Sequence, residues 1–262
     1  MAAAEPGDPP LRVLSFNVFK YSHQYQRMID FVRAEAPDVV ILIEVTPQWE
    51  PALDALAPDY AYHWANVGDD IKGLAVLTRR VPTESRVIDL GQNGVPSLLF
   101  TLPEAGSEIT LVATHLSWPL GGRRAAIRNT QLAALARLAR EQRGAFAIVG
   151  DLNITPYSPR FQQLLSDGGL HNCAQGMGPH ATWPALLLPF YIQIDHCLAN
   201  AAVAASHFHV GGFLGSDHFP ISVELGVQLP ARGPLADMPP VNTRRIASST
   251  PMSSGVSRAR GR

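Results

Sequence analysis

Strand-like apolar runs in this chain repeatedly end on a polar group that is hard to bury. Leu11–Val18 (LRVLSFNV) carries Asn17, Asp38–Ile43 (DVVILI) runs into Glu44, and Glu108–Thr114 (EITLVAT) runs into His115. Ala145–Val149 (AFAIV) passes through Gly150 to Asp151 and Asn153. Tyr191–Leu198 contains Asp195 and His196, and the loop GSDHFP brings Asp217 and His218 just ahead of Ile221–Leu225. Dehydrating such a group without a partner is unfavourable. One instance is ordinarily a satisfied core or turn residue. Recurrence on separate strands points instead to a site assembled at strand ends, as in layered α/β folds. The inventory is carboxylates, carboxamides and histidines, with no cysteine cluster. Such an oxygen-rich set suits Mg²⁺ or Mn²⁺ better than zinc.

Asp151 and Asn153 stand two apart, so in extended chain they would project from one face. Asp and Asn are also favoured turn residues, and at this point turn and site both remain open. His196, next to Asp195, belongs on the opposite face of its strand. His207 and His209 are spaced for one face of another. The chain has no Gly-x-Ser-x-Gly elbow, no P-loop and no His-Glu-x-x-His, which argues against the chemistries those motifs carry.

The elements that must position these groups alternate in period. Tyr25, Met28, Ile29 and Val32 recur at helical spacing, with Pro37 as the stop. Pro47 to Leu56 reads as a short helix with proline in its first turn. Tyr60–Trp64, Gly73–Thr78, Arg86–Leu90 and Ser97–Leu102 read as successive strands. Arg123 to Arg143 is the longest helix, with Gly144 as its stop; Phe161, Leu164 and Leu165 mark another, and Ser206–Gly211 a further strand. DVVILI is apolar on both faces, which suggests a central strand.

The hydrophobic content of 46% supports a sizeable core, and a net charge of −1 excludes nucleic-acid binding by bulk electrostatics. Cys173 and Cys197 make no disulfide framework. Residues 1–10 lack the basic start and apolar run of a signal peptide, and no run approaches a membrane span, so a cytoplasmic protein is expected. Residues 227–262 are rich in Pro, Ser and Arg and carry +5, leaving −6 on the body. This segment is expected to be a disordered basic tail.

The segments LSFNV, VILIEVTP, VATHLSWP, IVGDLNITPYSP, IDHCLAN and GSDHFP occur in that order between Leu11 and Leu225. In this the chain resembles the endonuclease/exonuclease/phosphatase (DNase I-like) superfamily, most of all its bacterial YafD-like branch. The resemblance implies one domain over 11–226, between a flexible N-terminus (1–10) and the tail (227–262). The fold would be α/β (α+β), a four-layer sandwich of two mainly antiparallel sheets flanked by helices, with the site at one edge. It also implies a hydrolase using Mg²⁺ or Mn²⁺ on phosphoester bonds. Glu44, Asn17 and Asp217 would hold the metal. Asp151 would orient or deprotonate water, Asn153 would contact phosphate or hold that water, and His218, oriented by Asp195, would bond a phosphate oxygen. His115 would serve the leaving oxygen. Lys72, Arg123, Arg124 and Trp183 are candidate substrate contacts, with Trp118 as a further stacking surface. Two departures stand out: Ile43 where relatives commonly have Gln, and Gln193 where they often have Arg. A nuclease-like phosphodiesterase acting on nucleic acid leads. A lipid or small-headgroup phosphoesterase and a non-catalytic binding protein on the same fold are the alternatives.

Overall fold

Twelve strands fall into two six-stranded sheets in the computed structural model, which describes residues 9–68, 71–91, 94–104, 106–178, 180–185 and 191–228. The first sheet contains β1 (Leu11–Asn17), β2 (Val39–Ile43), β3 (Tyr62–Asn66), β4 (Leu74–Thr78), β11 (Val203–Val210) and β12 (Ile221–Val227), in the order β11-β12-β1-β2-β4-β3. The second contains β5 (Glu84–Asp89), β6 (Pro96–Glu104), β7 (Ser107–His115), β8 (Ala145–Asp151), β9 (Leu170–Asn172) and β10 (Asp195–Asn200), in the order β5-β6-β7-β8-β10-β9. Pairing is antiparallel except for β1 with β2 and β7 with β8. Helices α1 (Tyr25–Glu35) and α2 (Glu50–Leu56) cover the first sheet; α3 (Gly122–Glu141) and α4 (Pro159–Gly168) cover the second. The result is the expected four-layer sandwich.

Strand periodicity explains the layers. Leu11, Val13, Val39, Ile41, Leu111, Ala113, Ala147, Val149, Cys197 and Ala199 alternate onto the inner faces and form the core between the sheets. Leu14, Phe16, Val40 and Leu42 turn outward under α1 and α2, and Phe146, Ile148 and Leu198 under α3 and α4. β2 lies inside its sheet with every residue buried, as its unbroken apolar run suggests. The two cysteines are free thiols that meet in the inter-sheet core.

Parallel pairing then sets the position of the site. In a parallel pair both C-terminal ends lie on the same side. Asn17 is therefore level with Ile43, the residue before Glu44, and His115 is level with Asp151. The antiparallel neighbours supply their starts at the same rim: Asp195 opposes Asp151, and Ile221, just after the GSDHFP loop, opposes Ser15. Asn17, His115, Asp151 and Asp195 continue the inward-facing rows past the last apolar residue.

Several boundaries differ from the sequence reading. Pro47–Trp49 is a 3₁₀ turn leading into α2. α3 ends at Glu141, where Gln142 turns extended, before Gly144 is reached. The Tyr191–Leu198 strand is displaced to Asp195–Asn200, and residues 186–190 of the apolar stretch before it lie outside the described residues. The Ser206–Gly211 strand begins earlier, at Val203, and a bulge between Ser206 and His209 breaks the regular alternation of its histidines. His207 there has φ 51° and meets Glu224 at 2.8 Å. The N-terminal eight residues and the chain beyond residue 228, including nearly all of the basic tail, lie outside the described residues. Among the described residues no helix is long and apolar enough to cross a membrane.

Gly150 makes a close backbone approach at this rim. Its φ is 147°, and a Cβ would lie 2.0 Å from the Thr114 carbonyl oxygen on β7. Gly150→Ala should therefore lower the unfolding free energy by at least about 3 kcal/mol. Gly144→Ala, with no atom within 4 Å of its new Cβ, should shift it by less than about 1 kcal/mol. Urea denaturation of both variants checks this, and equal small effects would contradict the close approach.

Candidate active site

A cavity of about 860 Å³ opens at the rim where the two sheets offer their polar strand ends. Glu44, His115, Asp151, Asn153, Asp217 and His218 line it. Asn17 and Asp195 lie directly behind, each in contact with a lining residue.

Asp151 is the hub. It is 1% exposed at the end of β8. Its Oδ1 accepts the Asn153 backbone N–H at 2.8 Å, and its Oδ2 accepts the Asn17 side-chain amide at 3.3 Å. The His115 and His218 Nε2 atoms stand 3.5 and 3.8 Å from Oδ2. Burial raises the Asp151 pKa, the Asp195 carboxylate adds to this, and the two histidines and the Asn153 N–H oppose it; the balance is about 6. The short bond to Asn153 closes an Asx turn, and Asn153 takes the left-handed φ of 50°. Turn and site, alternatives in the sequence, are here the same object. Asn153 is not in the extended register that its spacing suggests.

His218 is held from the other side. Its Nδ1 donates to Asp195 Oδ2 at 2.9 Å. Burial by itself would lower its pKa, but Asp195, Asp151 and Asp217 outweigh that and raise it to about 10. It is thus an imidazolium with Nε2–H turned towards Asp151. The backbone at this point is fixed by Ser216, whose hydroxyl donates to the Asn17 carbonyl at 2.7 Å and accepts the His218 N–H at 3.0 Å. Thr182 performs a similar task for Asp195: its Oγ1 accepts the backbone N–H groups of Ile194 and Asp195.

His115 has a different electronic role. Its Nδ1 faces the Ile71 carbonyl at 2.9 Å and so carries the proton to that acceptor. Its Nε2 can then accept from the Asn153 side-chain amide at 3.3 Å. The same amide donates to the Leu116 carbonyl at 2.9 Å. His115 and Asn153 therefore brace one another.

Two arrangements could hold a cation. Asp151, Asp195 and His218 bring ligand-type atoms within 4.8 Å of one another. Both nitrogens of that imidazole face carboxylates, however, and a protonated imidazole has no lone pair to offer. Glu44 and Asp217 fit better. Glu44 has the strained φ of 64°, its Oε1 accepts from Asn17 and its Oε2 from the Lys20 N–H at 3.1 Å. Asp217 Oδ2 accepts the Trp183 indole N–H at 3.1 Å, while its Oδ1 is buried with no hydrogen-bond partner. An orphaned carboxylate oxygen lining the same cavity as an anchored second carboxylate suits a hard divalent ion. Asn17 Oδ1 is already engaged by the Phe19 N–H at 3.0 Å, and its Nδ2 spaces Glu44 from Asp151.

Among the weaker candidates, Lys72, Trp118, Arg124 and Trp183 line the cavity, whereas Arg123 does not. Trp183 also positions Asp217 through its indole N–H. Gln193 turns its amide towards the Asp195 carbonyl, and Ile43 is core. Sequence reasoning missed Ser216, Thr182, Arg128 and Gln131. Arg128 donates to the Asn153 carbonyl at 2.9 Å, and buried Gln131 accepts the Ser117 N–H at 2.9 Å. Their three-residue spacing on α3 was the available signal. As expected, His196 faces the opposite way: it is fully buried, bonded to the Ile154 carbonyl and stacked near Phe161.

Known proteins show the same architecture. A sequence model described as Endonuclease/Exonuclease/phosphatase family matches residues 14–218. No curated protein matches. Among solved structures, D. rerio TDP2 complexed with a single-strand DNA product superimposes with a TM-score of 0.70 at 18% identity, covering 84% of this chain and 100% of that one. A Bacteroides vulgatus endonuclease/exonuclease/phosphatase gives 0.70 at 18% identity, covering 83% and 98%. A Beutenbergia cavernae one gives 0.64 at 22%, covering 84% and 72%. At these identities the likeness is one of fold.

Burial of His196 should make the stability of the fold pH-dependent. Burial lowers its pKa from 6.5 to about 4, against the smaller opposing effects of the Ile154 carbonyl and Asp195. Above pH 6.5 it is neutral both folded and unfolded and has no effect. As pH falls towards 4, only the unfolded chain takes up the proton, so stability is lost; below 4 both states are protonated and the loss stops growing. The total is on the order of 3 kcal/mol. His196→Gln should remove this component, so the wild-type minus variant stability should fall between pH 7 and 4 in urea titrations. A pH-independent difference would contradict a neutral buried imidazole.

Proposed function

The chain belongs to the endonuclease/exonuclease/phosphatase family, and on that premise we propose that it is a divalent-metal-dependent phosphoesterase acting as a nuclease-like phosphodiesterase. The observation that carries this reading is geometric: on the wall of one cavity the buried Asp151 carboxylate stands 3.8 Å from His218 Nε2, while His218 Nδ1 donates to Asp195 at 2.9 Å. Environments that push the pKa values of two titratable groups apart, here to about 6 and about 10, assign a base and a cationic donor.

Asp151 accepts the proton of the attacking water, since a pKa of about 6 leaves it ionised but basic near neutral pH. Asn153 holds that water by accepting from it at Oδ1, its amide N–H groups being committed to His115 and the Leu116 carbonyl, and Arg128 fixes the Asn153 carbonyl. His218 donates Nε2–H to a non-bridging phosphate oxygen and offsets the charge that develops there. His115 keeps Asn153 and Asp151 in register. Glu44 and Asp217 would hold Mg²⁺ or Mn²⁺, with Asn17 separating Glu44 from Asp151. Such an ion neutralises phosphate oxygens and stabilises developing charge. Water is the nucleophile, without a covalent enzyme intermediate.

Nucleic acid is the favoured substrate. The single-strand DNA product in the D. rerio TDP2 complex supports it, as do the Tyr21 and Trp118 rings exposed at the cavity wall, on which bases can stack. The second reading, a lipid-headgroup esterase, draws on exposed Leu120 in the same loop as Trp118. The complete set of Glu44, Asp151, Asn153 and His218 argues against a purely binding role.

Hydrolysis of bis-p-nitrophenyl phosphate with Mg²⁺ or Mn²⁺ tests the reading. Asp151→Asn and His218→Ala should each lower kcat by about 10²- to 10⁴-fold. Glu44→Gln should raise the metal concentration needed for half-maximal rate, and EDTA should abolish turnover. A folded wild-type protein that hydrolyses no phosphoester would refute the proposal.

A further inference from the structure

Among the described residues, Arg128 has no counter-charge. It is half-buried on the α3 wall of the cavity. Its Nη1 and Nη2 donate to the Asn153 carbonyl and to Asn129 Oδ1 at 2.9 and 3.1 Å, and both acceptors are neutral. Its Nε is buried with no partner, and among the described residues no carboxylate pairs with it. Dehydration accordingly lowers its pKa. A guanidinium so placed is electrostatically incomplete, and a phosphate supplies the anionic, bidentate acceptor that it lacks.

Arg124 lies one turn earlier on the same face of α3. It lines the same cavity and also has no ion pair among the described residues. Thr155 and Ser158, both neutral hydroxyl residues, complete this part of the lining. The cavity carboxylates already have other partners: Glu44 and Asp151 meet Asn17, and Asp217 meets Trp183. A volume of about 860 Å³ lies towards the upper end of small-molecule sites. It has room for a substrate larger than a single phosphate group.

We propose that Arg124 and Arg128 form an anion subsite, separate from the scissile position, that binds a second phosphate of the substrate. This rests on the phosphoesterase reading above. The second phosphate could be the neighbouring nucleotide's or a ring phosphate of a headgroup, and the recognition chemistry is the same.

Two substrate pairs separate these sources: thymidylyl-thymidine with and without a 5′-phosphate, and glycerophosphoinositol with and without a 4-phosphate. In one pair the doubly phosphorylated member should show a kcat/KM about 10- to 100-fold higher, mostly through KM, as expected for charge-assisted hydrogen bonds. That pair identifies the source. Arg124→Gln should cut the preference about tenfold. Its side chain makes no hydrogen bond to the described residues, so folding is not at stake. Arg128→Gln should cut it further. A wild type without preference in either pair overturns the subsite, as does a preference that survives both substitutions. So does hydrolysis of bis-p-nitrophenyl phosphate with none of the four diesters cleaved; in each of these cases the phosphoesterase reading stands. Failure on all five compounds would overturn that reading and the subsite with it.

Discussion

The rim is organised by a buried imidazolium between two carboxylates. Asp151 and Asp195 face one another across the β8–β10 ladder, each 1% exposed. Two like charges so placed would repel, and burial would favour neutralising one of them. His218 resolves the conflict by donating to Asp195 and turning its other nitrogen towards Asp151. It arrives on the loop that feeds β12, in the other sheet. The contact that reconciles the charges is therefore also a polar tie between the sheets, beyond the reach of the apolar core. Asn17 makes a second tie, from β1 to Asp151.

The rim's polar groups are thus fixed by the fold's own closure. Asn17, His115, Asp151 and Asp195 each take the place that the next core residue would have on its strand. Their hydrogen bonds satisfy one another, which makes burial tolerable and holds them in place before any substrate arrives. Among the described residues, Asp217 Oδ1 and, on α3, Arg128 Nε are left without a partner. Backbone strain gathers at the same place, with Glu44 and Asn153 both at positive φ; such conformations persist where surrounding structure imposes them.

α3 extends this arrangement outward. Gln131 holds the loop after His115, and Arg128 holds the loop after Asp151. The two loops are themselves joined by the Asn153 amide at the Leu116 carbonyl. Leu132, Leu135 and Ala139 seat the helix on the second sheet, so packing on one stretch of α3 positions chemistry on another. The cavity has carboxylates where β1, β2 and the GSDHFP loop meet, and guanidinium groups on α3.

The sequence by itself determined the elements, the two-faced alternation of the strands and the polar residue at the end of each, because side-chain period and burial are local properties. It also determined which residue types gather, and hence the class of chemistry. It did not determine how Asp151 and Asn153 relate, since Asn and Asp serve extended and left-handed backbone alike; the Asx turn was decided by closure against Leu116 and His115. Nor did it rank Arg123 against Arg128. Both are arginines near a helix start, and only the docking of α3 on the second sheet turns one into the cavity wall and leaves the other outside it. Ser216 and Thr182 were illegible for the same reason: a hydroxyl becomes a positioning group only when residues distant in the chain bring it their backbone polar groups. Charge state was tertiary too. His218 is cationic and His196 neutral because one meets carboxylates contributed by other strands and the other meets a carbonyl and a phenyl ring, although both stand next to an aspartate in the chain.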